Sequence, residues 1–145
     1  MIINEILFGS SDFRKECELR NKILRIPLGL DLFDEDLSRE ISQMHFGLFD
    51  DEHILIACAI AVCISPTEAK IRQMAVAGGY QNQGHGRSII RYIETHLARQ
   101  GLTHFCMHAR MNAVGFYEKL GYSRVGPEFV EVGLPHIKME KFIQP

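Results

Sequence analysis

The chain has 145 residues, enough for one domain with its own core and too few to expect two. A hydrophobic fraction of 46% and a charged fraction of 23% are those of a globular protein, and a formal charge of −2 gives no general attraction to nucleic acid or an anionic membrane. No apolar run reaches transmembrane length, no secretory leader pattern opens the chain, and Cys17, Cys58, Cys63 and Cys106 form no CxxC pair; reduced core thiols in a cytoplasmic protein are expected, without a zinc or redox motif.

In chain order, Ile2 to Phe8 reads as a short strand ending at Gly9-Ser10-Ser11-Asp12, where Ser11 or Asp12 can cap a helix. Phe13, Cys17, Leu19, Ile23 and Leu24 recur among Arg14, Lys15, Glu16, Glu18, Arg20 and Lys22, which predicts a surface helix broken by Pro27 and Gly29. Leu28 to Ser42 reads as a solvated loop with a short helix; the sharper reading makes Asp31, Asp34, Glu35, Asp36 and Glu40 an acidic wall for a cationic substrate. His45 to Phe49 and Ile54 to Ile64 form a hairpin signal around the polar tip Asp50-Asp51-Glu52-His53. After the turn Ser65-Pro66-Thr67, the stretch Ala69 to Ala77 returns as a strand, with Ile71, Gln73 and Ala75 alternating against Arg72, Met74 and Val76.

That strand runs into Gln81-Asn82-Gln83-Gly84-His85-Gly86, and Ile89, Ile90, Ile93 and Leu97 follow at helical spacing. A glycine-bearing turn thus joins a strand to a helix N-terminus. The first amides of a helix lack intrahelical partners and sit at the positive end of its dipole, so they suit a phosphate, and Gly84 and Gly86 remove side chains that would hold one away. Gln100-Gly101 then stops the helix, Thr103 to Ala109 reads as a strand parallel to the previous one, and Val114, Tyr117 and Leu120 share one face of a helix closed by Gly121. Two short strands, Ser123 to Val125 and His136 to Phe142, are joined by Pro127 to Pro135, completing a mixed α/β domain over residues 1–145.

Together, the two glycine-bearing segments resemble the GNAT superfamily of N-acetyltransferases. Gln81-x-x-Gly84-x-Gly86 is similar to its pyrophosphate-binding pattern and Ala113-x-x-x-Tyr117-x-x-x-Gly121-Tyr122 to its later helix, in order and with a strand-helix-strand between them. The ending Phe129-x-Glu131-x-Gly133-Leu134-Pro135-His136-x-x-Met139 is similar to one branch of small bacterial members. The resemblance implies a mixed, mostly antiparallel sheet with flanking helices and a parallel strand-helix-strand site for acetyl-CoA. It implies an enzyme that moves the acetyl group to a primary amine of a small molecule; the alternative, motivated by the lack of a carboxylate at a telling spacing, is a non-catalytic acyl-CoA-binding or regulatory module with the same fold.

Residue by residue, it implies a diphosphate on the amides of Gln83, Gly84, His85, Gly86 and Arg87, with Gln81 opening the loop. The pantetheine arm would pair with the Met74, Ala75 and Val76 backbone. Tyr117 stands where many members have a general acid for the departing thiolate. Asn is often found three residues before the motif's alanine; Arg110 stands there, and Asn112 is its neighbour in sequence as a CoA contact.

Acetyl transfer needs a neutral amine, a polarised carbonyl and a proton for the thiolate. A phenol of reference pKa about 10 is protonated at neutral pH and can supply that proton. His108 can accept one near neutrality, and Glu68 and Glu128 are further candidate bases; the tail resemblance implies that Glu131 and His136 line an acceptor pocket. The seven histidines give no HxH or HxxxH pair except His104 with His108, without a further ligand, so no metal is expected. A Walker-type lysine is missing, as is a third glycine with a ribose-binding acid, which ranks ATP or NAD low. A hydrophobic strand edge could support a homodimer.

Overall fold

The computed structural model describes residues 1–144. Seven strands form one sheet in the order β1-β2-β3-β4-β5-β7-β6: β1 Ile2–Ile6, β2 Met44–Phe49, β3 Leu55–Cys63, β4 Glu68–Val76, β5 His104–Arg110, β6 Ser123–Glu131 and β7 Leu134–Phe142. All neighbours are antiparallel except β4 and β5, which are parallel through the crossover helix α2, His85–Ala98. Helix α1, Ser11–Leu24, covers the opposite face, and the short α3, Val114–Lys119, joins α2. No described helix is long and apolar enough to cross a membrane.

The core lies mainly between α2, α3 and the sheet. Ile89, Ile90, Ile93 and Leu97 of α2 are fully buried against Ala59, Ala61, Ala69, Ile71, Phe105, Met107 and Met139. Four aliphatic side chains of that size supply on the order of 1.5–3 kcal/mol each on burial, which anchors α2 and fixes the loop before it.

Several sequence expectations are corrected. Ser10, not Ser11 or Asp12, caps α1, its Oγ accepting from the Phe13 amide at 3.1 Å. Helix α2 starts at His85, one turn fragment earlier than the apolar pattern begins. The stretch 127–131 belongs to β6, so the tail is one hairpin whose two-residue tip, Val132-Gly133, has φ of 46° and 76°. Positive φ at both central residues matches the twist of paired strands, which is why the tip lies there and not at the prolines.

Strict alternation in β4 also fails. Its register against β3 shifts between Cys58 and Ile60, and Gln73 adopts φ 55°. The extra residue is a bulge, which bends the strand and moves every later side chain to the other face. Ile71 therefore packs under α2, while Ala75 packs under α1 with Cys58 and Phe49.

Candidate active site

The β4–β5 ladder is short. Only Glu68, Ala69 and Lys70 pair with His104, Phe105 and Cys106, after which the two strands diverge. A cleft of about 860 Å³ opens between them, running from the loop before α2 to the β6–β7 hairpin. Its walls come from β4, β5, α3, the C-terminal end of α1 and the hairpin tip.

The bulge arms the β4 wall. The Ala77 amide donates to the Ile56 carbonyl at 2.8 Å, so Ala77 and Ala75 face β3 and Val76 faces the open edge. At the bulge the Gln73 carbonyl accepts from Cys58 Sγ at 3.9 Å, turned toward β3 and α1. In a trans peptide the following N–H points the other way, so Met74 presents its amide to the cleft. The backbone donors on this wall are thus Met74 and Val76, and Ala75, although it lines the cleft, spends its backbone on β3.

At one end of the cleft lies the loop 77–84. Gln81 Nε2 donates to the Val76 carbonyl at 3.2 Å and Gln83 Nε2 to the Gly79 carbonyl at 2.9 Å, bracing the turn from within. The side chain of Gln83 is therefore turned away, and Gln83, expected as a diphosphate contact, does not line the cleft. Gly84 caps α2 at φ 85°, a conformation any Cβ strains, and no side chain caps the helix. The Ser88 amide is the first to find an intrahelical partner, the Gly84 carbonyl at 3.0 Å. The amides of His85, Gly86 and Arg87 are left at the positive end of the dipole. A Cβ on Gly86 would meet Phe116 Cζ at 3.1 Å, so this glycine lets α2 and α3 close together beside the loop.

Two tyrosines of α3 and its end differ in kind. Tyr122 donates to Glu94 Oε2 at 2.7 Å, and Lys141 pairs with the same carboxylate at 3.0 Å, a buried structural set. The Tyr117 ring is buried, yet its hydroxyl bonds to no described residue and borders the cleft. Burial pushes its phenol well above the ordinary value, so the hydroxyl stays protonated throughout the neutral range.

On the face toward α1, His108 Nδ1 stands 2.9 Å from Glu131 Oε1, and His136 Nε2 stands 3.8 Å from Glu131 Oε2. Burial alone would raise the Glu131 carboxyl, but the hydrogen bond and charge of His108 outweigh it and hold the group below the usual range. An ionised carboxylate only accepts, so in the shorter contact His108 donates from Nδ1, and its neutral form then leaves Nε2 as the acceptor; Lys70 Nζ, 3.4 Å from the same Nδ1, is not a donor to it in that tautomer. His136 is fixed likewise: Nδ1 donates to the Leu134 carbonyl at 2.9 Å, so its neutral form keeps the lone pair on Nε2.

Of the residues expected from the sequence, Met74, Ala75, Val76, Gln81, Gly84, His85, Gly86, Arg87, His108, Asn112, Tyr117, Glu131 and His136 all line this one cleft. Glu68 is drawn away to His104 Nδ1 at 3.4 Å, and Glu140 takes the other ring nitrogen at 2.9 Å, so His104 and His108 serve different carboxylates. The acidic segment is not a wall of the cleft: Glu35 pairs with Arg25 at 2.7 Å, and Glu40 is buried under α1.

The sequence reading missed a buried charge network beneath the bulge. Arg20, fully buried, donates to Glu16 at 2.9 Å, to Glu40 at 2.8 and 2.7 Å, and to Gln73 Oε1 at 3.3 Å. His45 bridges Glu16 and the Glu40 carbonyl at 2.9 and 2.8 Å, and Arg72 adds a bond to Glu40 at 3.2 Å. Glu16, Glu40 and His45 offer a metal-like set of ligand atoms, but the Arg20 guanidinium already satisfies the carboxylates and both His45 nitrogens are engaged. Only the i, i+4 spacing of Glu16 and Arg20 hinted at it.

Residues 30–143 match the profile of the Acetyltransferase (GNAT) domain family. The uncharacterized protein YyaT of Bacillus subtilis (strain 168) is 37% identical over 75 residues, a match spanning 52% of this chain and 51% of that one. The chain thus spans about half the length of that relative. YitI of the same organism, an uncharacterized N-acetyltransferase, is 29% identical over 133 residues, covering 88% and 89% of the two chains. In three dimensions the chain superimposes on an aminoglycoside 6'-N-acetyltransferase complexed with coenzyme A at TM-score 0.77 and 18% identity, over 100% of this chain and 98% of the other. At that identity the likeness speaks for the fold, which is the mixed, mostly antiparallel one expected.

Proposed function

Because the chain belongs to the acetyltransferase (GNAT) family, we propose that it transfers an acetyl group from acetyl-CoA to a primary amine of a small molecule. The observation that carries this reading is the convergence on one cleft of an uncapped helix N-terminus, outward backbone amides and a free tyrosine hydroxyl, with a carboxylate–imidazole pair opposite. Acetyl-CoA supplies the activated thioester carbonyl; the remaining steps fall to this chain's own groups.

The cleft has the shape and donors for such a donor molecule. The amides of His85, Gly86 and Arg87, with Gly84 holding the rim clear, face a diphosphate, and the exposed Arg87 lines the same end. Met74 and Val76 offer N–H groups along the strand, and the Met74 amide at the bulge is placed to polarise a carbonyl in the splay. Tyr117 Oη holds the proton that a leaving thiolate takes up. His108 Nε2, its imidazole oriented by Glu131, takes the proton that an attacking amine gives up, directly or through a water.

The alternative is a binding module that lacks a base. Glu131 with His108 supplies that missing piece across β5 and β6, which favours the enzyme. The test is thermal denaturation with acetyl-CoA followed by thiol release over an amine panel. Stabilisation by acetyl-CoA and amine-dependent thiol release are expected. No stabilisation by any acyl-CoA overturns the reading, and binding without any acetylated product selects the binding module.

A further inference from the structure

The geometry points to an acceptor that carries, besides its amine, an anionic group of carboxylate type, held at Arg110 at the α1 end of the cleft. This rests on the acetyl-transfer reading above and adds to it the chemistry of the substrate.

The argument starts from the charges of the cleft. On the acceptor side its cationic side chains are Arg25, Lys70, Arg72 and Arg110, against the single carboxylate of Glu131. Arg25 is spoken for by Glu35 at 2.7 Å, Arg72 by Glu40 at 3.2 Å and Gln43 at 2.9 Å, and Lys70 Nζ lies 3.4 Å from His108 Nδ1, where its charge faces the Glu131 carboxylate. Arg110 has no described carboxylate within bridging distance; its Nη2 donates to the Leu24 carbonyl at 2.9 Å, a neutral acceptor at the end of α1. The rest of its planar fork, which suits a bidentate acceptor, makes no hydrogen bond to a described residue.

The surroundings make that charge costly. Arg110 is half-buried, and desolvation together with the nearby Arg25 charge draws its pKa down. A partly desolvated cation without a partner is relieved by an anion, and nothing in the described chain provides one.

Its place is what ties it to the acceptor. Arg110 lies two residues beyond His108 on the same face of β5, about 7 Å along a strand, and opposite His136 in the β5–β7 ladder. His136 Nε2 is 3.8 Å from Glu131, so the anion site and the proposed base flank one space. The diphosphate end lies at the other limit of the cleft, beside α2. A small molecule with amine and carboxylate a few bonds apart spans the distance, whereas a polyamine would put a second cation against Arg110.

The test uses straight-chain primary amines of graded length, each with and without a terminal carboxylate, and the matching diamines. Binding to the CoA-saturated full chain is followed by saturation-transfer NMR, and acetyl transfer by mass spectrometry of the products. We expect one carboxylated length to bind and react at least tenfold better than its plain amine. Arg110→Gln should abolish that preference while leaving acetyl-CoA affinity unchanged, and Arg110→Lys should restore part of it. Equal binding with and without the carboxylate, or a preference for diamines, overturns the inference, and acetyl transfer in the same samples then shows that the underlying reading stands. A carboxylate preference untouched by Arg110→Gln, or a parallel loss of acetyl-CoA affinity, overturns the assignment to Arg110. A carboxylate preference lost in Arg110→Gln without any acetylated product upholds the anion site and sinks the acetyl-transfer reading alone.

Discussion

Replacing Tyr117 and Tyr122 one at a time by phenylalanine separates chemistry from packing at two neighbouring buried rings. Tyr122→Phe removes a 2.7 Å bond to Glu94, leaving that carboxylate to Lys141 at 3.0 and 3.2 Å. A hydrogen bond to a charged group is worth about 1.5–3 kcal/mol, so the melting temperature should fall by several degrees. Turnover at saturating substrates should stay within a few-fold of wild type, because Tyr122 Oη points into the α2–β7 packing. Tyr117→Phe removes a hydroxyl that bonds to no described residue and keeps the ring among Tyr122, Phe116 and its other neighbours. Its stability should barely change. Loss of a positioned general acid typically costs about 100-fold or more in rate; 100-fold corresponds to about 2.7 kcal/mol of barrier. Water in the open cleft can protonate the thiolate in place of the phenol, so the lower end is expected. The assay is thiol release at fixed acetyl-CoA with the best amine of a panel, alongside a melting curve and acetyl-CoA titration of each variant. A Tyr117→Phe protein that melts early while turning over normally would refute the assignment, as would equal losses of turnover and acetyl-CoA affinity.

Other consequences follow from the same contacts. Gly84→Val forces a β-branched residue to φ near 85° at the mouth of the amide rim, so acetyl-CoA affinity should fall tenfold or more by calorimetry, with a stability loss of about 1–3 kcal/mol. Arg20→Met leaves Glu16 and Glu40 buried with only His45 and Arg72 to answer them; chemical denaturation should show a loss of about 3 kcal/mol, the low end for a broken buried pair. His45 donates from both nitrogens to acceptors, and although burial alone would lower its pKa, the bond and charge of Glu16 raise it above 6.5. Since the folded value exceeds the unfolded one, this contribution is complete below pH about 6.5 and is lost as pH rises through the folded-state pKa. Wild-type stability should therefore decline on the alkaline side of that window, and His45→Gln should flatten the decline in denaturation curves taken from pH 6 to 9.

Much of the donor half of the cleft could be read from the residues, because its signals are local. Gly84 and Gly86 between a strand pattern and the Ile89, Ile90, Ile93, Leu97 stripe give the loop and helix start directly, and Tyr117 comes with its own helix face. What escaped the sequence depends on contacts between distant segments. Glu16 and Arg20 look like solvent-facing charges on a surface helix, yet both are fully buried, because Glu40 and His45 arrive from residues far along the chain to satisfy them. The bulge at Gln73 is a one-residue event that no pattern of apolar positions marks, and it reverses the facing of Ala75. Pro127 and Pro135 suggested a connector, but β6 is an edge strand, where a missing amide is tolerated, and Pro135 lies just beyond the β5 ladder. The pairing of Glu131 with His108 appears only once that hairpin is built.

The central claim is tested most directly by mixing the purified full chain with acetyl-CoA and the amine panel and quantifying acetylated amine and free CoA in the same samples. The account predicts that the two appear in equal amounts, only when an amine is present, and at a rate that drops about 100-fold in Tyr117→Phe. Release of CoA with no acetylated amine, or no release with any amine under conditions where acetyl-CoA is bound, would contradict it.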